Sequence, residues 1–266
     1  MSNYIKKLEI IKFPAGEVQV RFPDLYHNTI FAKIKNNDDL IATYQAVRLL
    51  GKNKDCNLFI PYFPSSRQDK AHITTEGVTL QDIAYLFLRA HIYTLDIHNP
   101  GIVYVTENYS ISKWLPLEFF QDYEKIIVWP DKSAQKRADL LNFHCFSFEK
   151  TRDPLTGKIS NIKPTSPIPI GKTYYVIDDI CDGGGTFIPI AEQIREVNKD
   201  AKIILATSHA MYSKGTDILL EHFDQLWTTD SWINKSIATD RIKIFPIFDM
   251  LRPIFTDDYV HGIGDI

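Results

Sequence analysis

The segment "YYVIDDICDGGGTFIPIAEQI", residues 174–194, decides which kind of fold this sequence describes. An apolar run is followed by closely spaced carboxylates, three successive glycines, a threonine and a helix-like pattern. The pattern predicts a buried strand over 173–177, a turn over 178–186 and a helix over 187–198. Because ligands of open α/β sheets bind at the carboxyl ends of the strands, this turn is a candidate ligand site.

The glycines of the turn are suited to binding a phosphate. Gly183, Gly184 and Gly185 can adopt positive φ and let backbone amides approach an anion without a Cβ in the way. The N-terminus of the following helix adds partial positive charge. Thr186 supplies a hydroxyl donor and is a candidate cap for that helix. This half of the motif predicts a phosphate cradle.

The three carboxylates of the segment predict a different ligand group. Asp178, Asp179 and Asp182 repel one another and are costly to bury without partners. A carboxylate has the wrong sign for phosphate, but Asp178 and Asp179 are suited to accept hydrogen bonds from vicinal sugar hydroxyls. Asp182 belongs to the same turn. The carboxylates and the phosphate cradle together predict a site for a ribose phosphate. The alternative interpretation is an acidic cluster on a surface turn.

Composition excludes several other classes of protein. The chain has 266 residues, a formal net charge of −3 and a pI of about 6.2, so no basic field indicates a nucleic-acid partner. No apolar run reaches the ~18 residues of a membrane span, and no signal peptide is recognisable. The three cysteines, Cys56, Cys145 and Cys181, are far apart and odd in number, which argues against disulfides or a zinc site. We expect a cytoplasmic protein without membrane or nucleic-acid partners.

Strand patterns alternate with helical patterns along the chain. Strands are predicted at 29–34, 56–62, 91–97, 125–129, 144–148, 173–177, 202–207, 224–228 and 242–246. Helices are predicted at 38–50, 80–90, 133–141, 187–198 and 216–222. This alternation predicts parallel sheets with helices on both faces.

The strands and helices form two sets. We predict an N-terminal domain over 1–107 and a C-terminal domain over 108–249, with the tail 250–266 returning to the first. The stretch 150–172, rich in proline and glycine, is predicted as a long loop, and a loop of that length is usually functional or mobile.

The segment "VIDDICDGGGT" resembles the phosphoribosyl-pyrophosphate loop of the type I phosphoribosyltransferase fold. Further stretches narrow the resemblance to ribose-phosphate diphosphokinases, in the order in which that family has them. They are "FPAGEVQVRF" at 13–22, "YFPSSRQDK" at 62–70, "LDIHNP" at 95–100 and "WPDKSAQKRA" at 129–138. The resemblance implies an α/β fold of two pseudo-related, phosphoribosyltransferase-like parallel-sheet domains, with the active site between them. It also implies a homodimer or higher homo-oligomer.

The resemblance implies a reaction as well. The β,γ-diphosphate of ATP is transferred, with Mg²⁺, to the anomeric hydroxyl of ribose 5-phosphate, which gives phosphoribosyl pyrophosphate and AMP. By resemblance His98 and Asp131 hold the magnesium–ATP. Because Mg²⁺ prefers oxygen ligands, contact with the carboxylate is more expected than contact with the imidazole.

A short polar run after a predicted strand, Arg67, Gln68 and Asp69, is the candidate ATP site. An arginine fork suits a triphosphate, and a glutamine amide suits a ring edge or a ribose. The resemblance assigns Arg67 and Gln68 to ATP. It also assigns Phe13 and Glu17 to the adenine, contributed by a neighbouring subunit, since Phe13 can stack on the ring and Glu17 can accept from the exocyclic amine.

Two cations stand at the start of the predicted loop. Lys150 and Arg152 match a lysine and an arginine, two residues apart, at the start of the family's catalytic flexible loop. In that role they neutralise charge on the transferring β-phosphoryl group.

The sequence departs from the family at several positions, and these leave alternatives open. Ala15 replaces a common aspartate, Gly183 replaces a common threonine, and the chain is shorter than the regulated enzymes. One alternative is transfer of the diphosphate to ADP-ribose, as in short members that serve NAD salvage, with the glycine loosening the cradle. Another is a catalytically inactive regulatory paralogue, against which the retained Lys150, Arg152, His98 and Asp131 argue. A phosphoribosyltransferase would leave "YFPSSRQDK" unexplained.

Overall fold

A computed structural model describes residues 4–52, 56–71, 74–101, 104–137, 143–152, 159–251, 255 and 259–266. The chain divides into two compact units, 1–109 together with 247–266, and 110–246. None of the helices in the described ranges combines the length and the apolar character that crossing a membrane requires.

The strands in chain order are β1 (Ile5–Lys7), β2 (Glu9–Lys12), β3 (Val18–Arg21), β4 (Thr29–Ala32), β5 (Cys56–Ile60), β6 (Ala90–Leu95), β7 (Glu107–Tyr109), β8 (Lys125–Trp129), β9 (Cys145–Arg152), β10 (Ile159–Pro164), β11 (Thr173–Cys181), β12 (Lys202–Ala210), β13 (Gln225–Thr229), β14 (Ile242–Phe245) and β15 (Val260–Ile263). The α-helices are α1 (Asn37–Leu50), α2 (Thr79–Leu86), α3 (Leu117–Gln121), α4 (Lys132–Arg137), α5 (Phe187–Val197), α6 (Asp217–Leu220) and α7 (Ile247–Leu251). Short 3₁₀ turns lie at Ile111–Lys113 and Lys235–Ile237.

The first unit contains a parallel sheet in the order β1-β15-β4-β5-β6-β7 and a separate antiparallel hairpin, β2-β3. The last strand of the chain therefore lies inside this sheet, between β1 and β4. Helices α1 and α2 bury their apolar sides in one core with β4, β5 and β6. On the other face Phe31 stacks on Phe59 with ring centroids 5.4 Å apart, and Phe248 of α7 meets Phe31 edge-on at 5.2 Å.

The second unit contains a sheet in the order β10-β9-β8-β11-β12-β13-β14, in which only the β9-β10 pair is antiparallel. Helix α5 packs on one face, where Ile190 and Ile194 join the core formed by Val176 and its neighbours. On the other face Phe119 of α3 meets Tyr175 at 4.9 Å. Both units are thus α/β with helices on both faces of a mainly parallel sheet, which confirms the predicted class.

Two local predictions are wrong. Strand β11 continues to Cys181 instead of ending at 177, because its parallel pairing with β12 persists as far as the partners Cys181 and Ala210. Asp178 and Asp179 therefore lie in the strand and not in the turn. The stretch 150–172 is also not one loop, since β9 includes Lys150 and returns as β10, with Ile162 opposite Lys150.

Candidate functional site in the second unit and candidate nucleotide segments in the first

Four neighbouring strands of the second unit lead the predicted site residues to one edge of the sheet. These strands, in the order β9-β8-β11-β12, are all parallel. Parallel strands present their carboxyl ends at the same edge, where open α/β sheets bind ligands. Lys150 lies near the end of β9, Asp131 follows β8, and the aspartate–glycine segment ends β11.

Asp131 and Lys150 form an ion pair at this edge. Asp131 Oδ2 lies 2.5 Å from Lys150 Nζ, and the two side chains are 22% and 19% exposed. The other oxygen, Oδ1, accepts hydrogen bonds from the amides of Ser133 and Ala134, each at 2.8 Å, at the start of α4. The predicted metal ligand is therefore oriented by a helix N-terminus and paired with a predicted catalytic cation.

The Asp131 carboxylate fits Mg²⁺ by its chemistry. Magnesium is usually held by one or two carboxylates together with water and substrate phosphates. Oδ1 of Asp131 accepts hydrogen bonds from two amides, and Oδ2 contacts the ammonium group of Lys150. Within the described ranges no group of three or more His, Cys, Asp or Glu side chains is arranged to hold a metal.

The three aspartates of the opening segment differ in accessibility. Asp178 is partly buried, Asp179 is only 3% exposed, and Asp182 is exposed after the strand ends. Asp178 Oδ1 accepts a hydrogen bond from the amide of Asp179 at 2.9 Å. Because successive side chains of a strand point to opposite faces, Asp178 and Asp179 do not face the same way. Asp178 is the more exposed of the two.

The glycine turn leaves several amides available. Gly184 has φ +81°, and its carbonyl accepts from the amides of Phe187 at 2.9 Å and Ile188 at 3.0 Å. The amides of Gly183, Gly185 and Thr186 donate no hydrogen bond to any residue that the structure describes. Amides clustered before a helix N-terminus form a favourable environment for an anion.

The prediction that Thr186 caps α5 through its side chain is wrong. Thr186 occupies the N-cap position but makes no side-chain capping hydrogen bond. Its φ of −83° and ψ of −37° are already helical. A capping side chain normally belongs to a residue with extended backbone angles, from which its oxygen reaches the amides of the first turn. The hydroxyl of Thr186 is therefore not used by the helix.

Lys214 is a residue of this edge that the sequence analysis missed. It lies in a tight turn after β12, closed by a hydrogen bond from the Gly215 amide to the Tyr212 carbonyl at 2.8 Å. A Cβ built on Gly183 would be 3.2 Å from each of Cγ, Cδ and Cε of Lys214. Its position shortly after β12, the strand that neighbours β11, is the sequence feature from which it could have been predicted. A lysine stem thus covers the first glycine of the turn.

The first unit brings together two of the predicted nucleotide segments. Asp69 follows the run of Arg67 and Gln68, both exposed, and Asn99 follows His98, which is partly buried. Asn99 Nδ2 donates to Asp69 Oδ2 at 2.9 Å, so this hydrogen bond ties the two segments together. Asn99 was not among the predicted site residues, although it stands beside His98 in the sequence.

Phe13 and Glu17 lie at the turn of the β2-β3 hairpin. The Phe13 amide donates to the Glu17 carbonyl at 2.9 Å, and the Gly16 amide donates to the Phe13 carbonyl at 2.9 Å. Gly16 has φ +87°, which this turn requires. Both predicted adenine contacts are exposed, with Phe13 at 42%. The side chain of Arg152, the last residue of β9, lies outside the described part of the chain.

Comparison with known proteins gives a family. No family model matches the chain. The chain is 31% identical over 255 residues to the ribose-phosphate pyrophosphokinase of Pyrococcus furiosus, covering 85% of this chain and 86% of the relative. It is 30% identical over 230 residues to that of Pyrococcus abyssi, covering 78% of each.

A solved structure has the same fold. The phosphoribosylpyrophosphate synthetase of Mycobacterium smegmatis superimposes with a TM-score of 0.76 at 22% identity, over 93% of this chain and 88% of that one. With relatives this similar over most of its length, the chain belongs to the ribose-phosphate pyrophosphokinase family of transferases, the family that its sequence motifs resemble.

Proposed function

We propose that the protein transfers the β,γ-diphosphate of ATP to the anomeric hydroxyl of ribose 5-phosphate in a magnesium-dependent reaction. The products are phosphoribosyl pyrophosphate and AMP. The observation that carries the proposal is the geometry at the carboxyl edge of the second sheet. There a glycine turn with available amides follows β11, Asp178 lies near the end of the same strand, and the ion pair joins Asp131 after β8 to Lys150 near the end of β9.

The acceptor is held by the β11 segment. The amides of Gly183, Gly185 and Thr186 bind its phosphate, with the Thr186 hydroxyl as a further donor, because α5 does not use it. Gly184 shapes the turn through its positive φ. Asp178 accepts from a ribose hydroxyl, and Asp179 and Asp182 complete the acidic side of the site. These contacts orient the anomeric hydroxyl and take no covalent part in the reaction.

The chemistry is a displacement at phosphorus. The anomeric oxygen forms a bond to the β-phosphorus of ATP, the bond from that phosphorus to the oxygen bridging to the α-phosphorus breaks, and AMP leaves with that oxygen. The hydroxyl proton passes to solvent. Lys150 and Arg152 neutralise charge on the transferring group, which is the main help a protein gives to such transfers.

Magnesium bound with ATP would neutralise phosphate charge, and Asp131 is the residue that would hold it in the second unit. Its Oδ1 is already fixed by two amides, so the carboxylate plane is oriented before a cation arrives. In the first unit His98 is the proposed metal contact. Arg67, Gln68 and Asp69 are the proposed ATP contacts, with Asp69 positioned by Asn99. Phe13 and Glu17 are proposed to contact the adenine bound by a neighbouring subunit.

A second acceptor, ADP-ribose, is favoured by one specific feature. A Cβ built on Gly185 would meet no atom within 4 Å, so there is open space beside the turn. Ribose 5-phosphate ends at its phosphate, whereas ADP-ribose continues from the same phosphate into a second phosphate and adenosine. Space beside the cradle is needed for that extension. The product would be ADP-ribose pyrophosphate, in the service of NAD salvage.

The test is AMP formation. The purified protein is incubated with Mg²⁺ and ATP, and with ribose 5-phosphate, ADP-ribose or no acceptor, and AMP and the diphosphorylated product are quantified. We expect acceptor-dependent AMP with ribose 5-phosphate, and none after chelation of Mg²⁺. AMP formation with ADP-ribose but not with ribose 5-phosphate would mean that ADP-ribose is the acceptor. AMP with neither acceptor would contradict both and favour a non-catalytic regulatory role.

A further inference from the structure

The turn after β12 places a lysine against the glycine turn. Cγ, Cδ and Cε of Lys214 all lie 3.2 Å from the position that a Cβ of Gly183 would take. That distance is shorter than an ordinary van der Waals contact between carbons. A side chain at position 183 would therefore require the Lys214 stem to shift by a few tenths of an ångström. The glycine permits the present path of the lysine side chain.

The conformation of Gly183 does not itself demand glycine. Within the turn 183–185, positive φ occurs at Gly184, at +81°, and not at Gly183 or Gly185. An alanine at position 183 is compatible with the backbone, so what the glycine supplies here is space. The occupant of that space is the stem of Lys214.

The ammonium group of Lys214 has no partner among the described residues. Lys214 is exposed, and it makes no hydrogen bond or ion pair within that part of the chain. Its Nζ is bonded to Cε, which is one of the atoms closest to the Gly183 position. The amides of Gly183, Gly185 and Thr186, described above, also donate to no described residue. Donors without a partner among the described residues thus lie on two neighbouring turns.

We propose that Lys214 is a phosphate-binding residue that determines how tightly the acceptor is held, and that Gly183 makes room for it. This inference rests on the proposed function, because it takes the turn 183–186 to be the cradle of the acceptor phosphate. Backbone amides and a helix N-terminus contribute partial charges, whereas Lys214 contributes a full one. A threonine at position 183 would give the cradle one hydroxyl donor but would displace the lysine. Compared with a threonine at position 183, the glycine lacks a neutral hydroxyl donor but leaves room for the charged Lys214.

The experiment compares variants at the two positions. Lys214→Met keeps an unbranched side chain over Gly183 and removes the charge, and Lys214→Arg keeps the charge. Binding of ribose 5-phosphate, ADP-ribose and inorganic phosphate is measured by calorimetry without ATP, and KM for acceptor and for ATP is measured with it. Lys199→Met is the matched control, because Lys199 is an exposed lysine of the same unit beyond the other end of α5.

We expect Lys214→Met to weaken acceptor binding and raise the acceptor KM by about 10- to 100-fold, the usual effect of losing a hydrogen bond to a charged group. The KM for ATP should stay unchanged. Lys214→Arg should retain most of the affinity for the acceptor, and Lys199→Met should behave as wild type. A lysine with a merely structural role would not separate the two KM values in this way.

A second comparison tests the coupling between the two positions. Gly183→Ala should weaken acceptor binding in the wild-type background, because its Cβ displaces the lysine stem. It should have little further effect in a Lys214→Ala background, where no stem is present.

The outcomes separate this inference from the proposed function. If the wild type forms AMP with an acceptor but Lys214→Met binds that acceptor normally, the inference is wrong and the proposed function stands. Equal effects of Gly183→Ala in both backgrounds would also overturn the inference. If the wild type binds none of the phosphates and forms no AMP, the cradle itself is wrong, and the inference falls with it.

Discussion

At the carboxyl edge of the second sheet, Asp131 and Lys150 form an ion pair. Its two side chains are 22% and 19% exposed, so the pair is largely shielded from solvent. A lysine aligned by a carboxylate at the carboxyl edge of a parallel sheet, where open α/β sheets bind ligands, is a candidate for a catalytic role.

We therefore expect Lys150→Ala to lower kcat by about 10²- to 10³-fold, since it removes an electrostatic stabiliser of the transition state. The same loss is expected for Arg152→Ala. Steady-state kinetics measures the effect, and thermal denaturation checks that each variant is folded. The control is Lys172→Ala, whose ion pair with Glu124 at 2.7 Å lies at the opposite, amino end of β11. Near-normal activity of both site variants would contradict the catalytic assignment.

Asp178 offers a second test at the residue scale. Asp178→Asn retains an oxygen that can accept from the Asp179 amide, as Oδ1 does now, so the strand end should fold normally. It replaces a carboxylate by an amide that presents a donor toward a hydroxyl proton. We expect the KM for the acceptor to rise by about 10-fold or more, with an unchanged KM for ATP. A parallel rise in both KM values would show that Asp178 does not hold the acceptor.

At the scale of the element, the strand–turn–helix segment from β11 to α5 depends on one glycine more than on the others. Gly184 has φ +81°, and an added Cβ would lie 2.7 Å from Leu219 Cδ2, which is in the buried core. Gly185 has no such restriction, because nothing lies within 4 Å of its Cβ position. The turn therefore needs glycine at 184 for its conformation and packing.

Gly184→Ala should destabilise the protein by about 2–4 kcal/mol, which combines left-handed backbone strain with overpacking. Gly185→Ala serves as the matched control and should change the free energy of unfolding by less than about 1 kcal/mol. Chemical denaturation with urea measures both. Equal destabilisation by the two substitutions would mean that neither the φ angle nor the contact with Leu219 explains the turn.

Helix caps give a contrast between the two units. Asn36 caps α1 with its side chain, which accepts from the Asp39 amide at 3.0 Å, whereas Thr186 makes no such bond to α5. Asn36→Ala should cost about 1 kcal/mol of stability, and Thr186→Ala should cost much less. Thr186→Ala should instead raise the acceptor KM, if its hydroxyl binds the phosphate. A stable Thr186→Ala variant with normal acceptor kinetics would remove Thr186 from the proposed site.

At the scale of the whole molecule, the hairpin β2-β3 stands apart from the main sheet of its unit and carries exposed residues at its turn. Phe13 is 42% exposed, and the hairpin forms its own two-stranded sheet. The hairpin is supported within its unit by α1, because Val20 is buried in the core and Gln45 Nε2 of α1 donates to the Val18 carbonyl at 2.7 Å. What remains uncovered is the turn, where the exposed ring of Phe13 favours a surface that another subunit covers.

We predict a homodimer or higher homo-oligomer with Phe13 and Glu17 at a subunit boundary. Sedimentation velocity at micromolar concentration should show an assembly, and Phe13→Ala should weaken it and raise the KM for ATP. Tyr123→Ala is the control, since Tyr123 is a 93% exposed aromatic residue of the second unit. A monomer with full activity would contradict the prediction.

The α/β class, most strand positions and the family could be predicted from the sequence, because alternating strand and helix periods and contiguous motifs are local signals. The strand predictions at 125–129 and 202–207 match β8 and the start of β12 closely. The candidate residues of the second unit lie at or just after the ends of strands that share one edge, a relation that strand–helix alternation already implies.

The extent of β11 and the contacts between distant segments could be read from the tertiary structure alone. The end of β11 depends on pairing with β12, a partner distant in sequence, so local periodicity ended the strand too early. The Asp131–Lys150 ion pair, the Asn99–Asp69 hydrogen bond and the contact of Lys214 with Gly183 join segments separated along the chain. Such contacts arise from strand order and register, which side-chain patterns along a single segment do not encode.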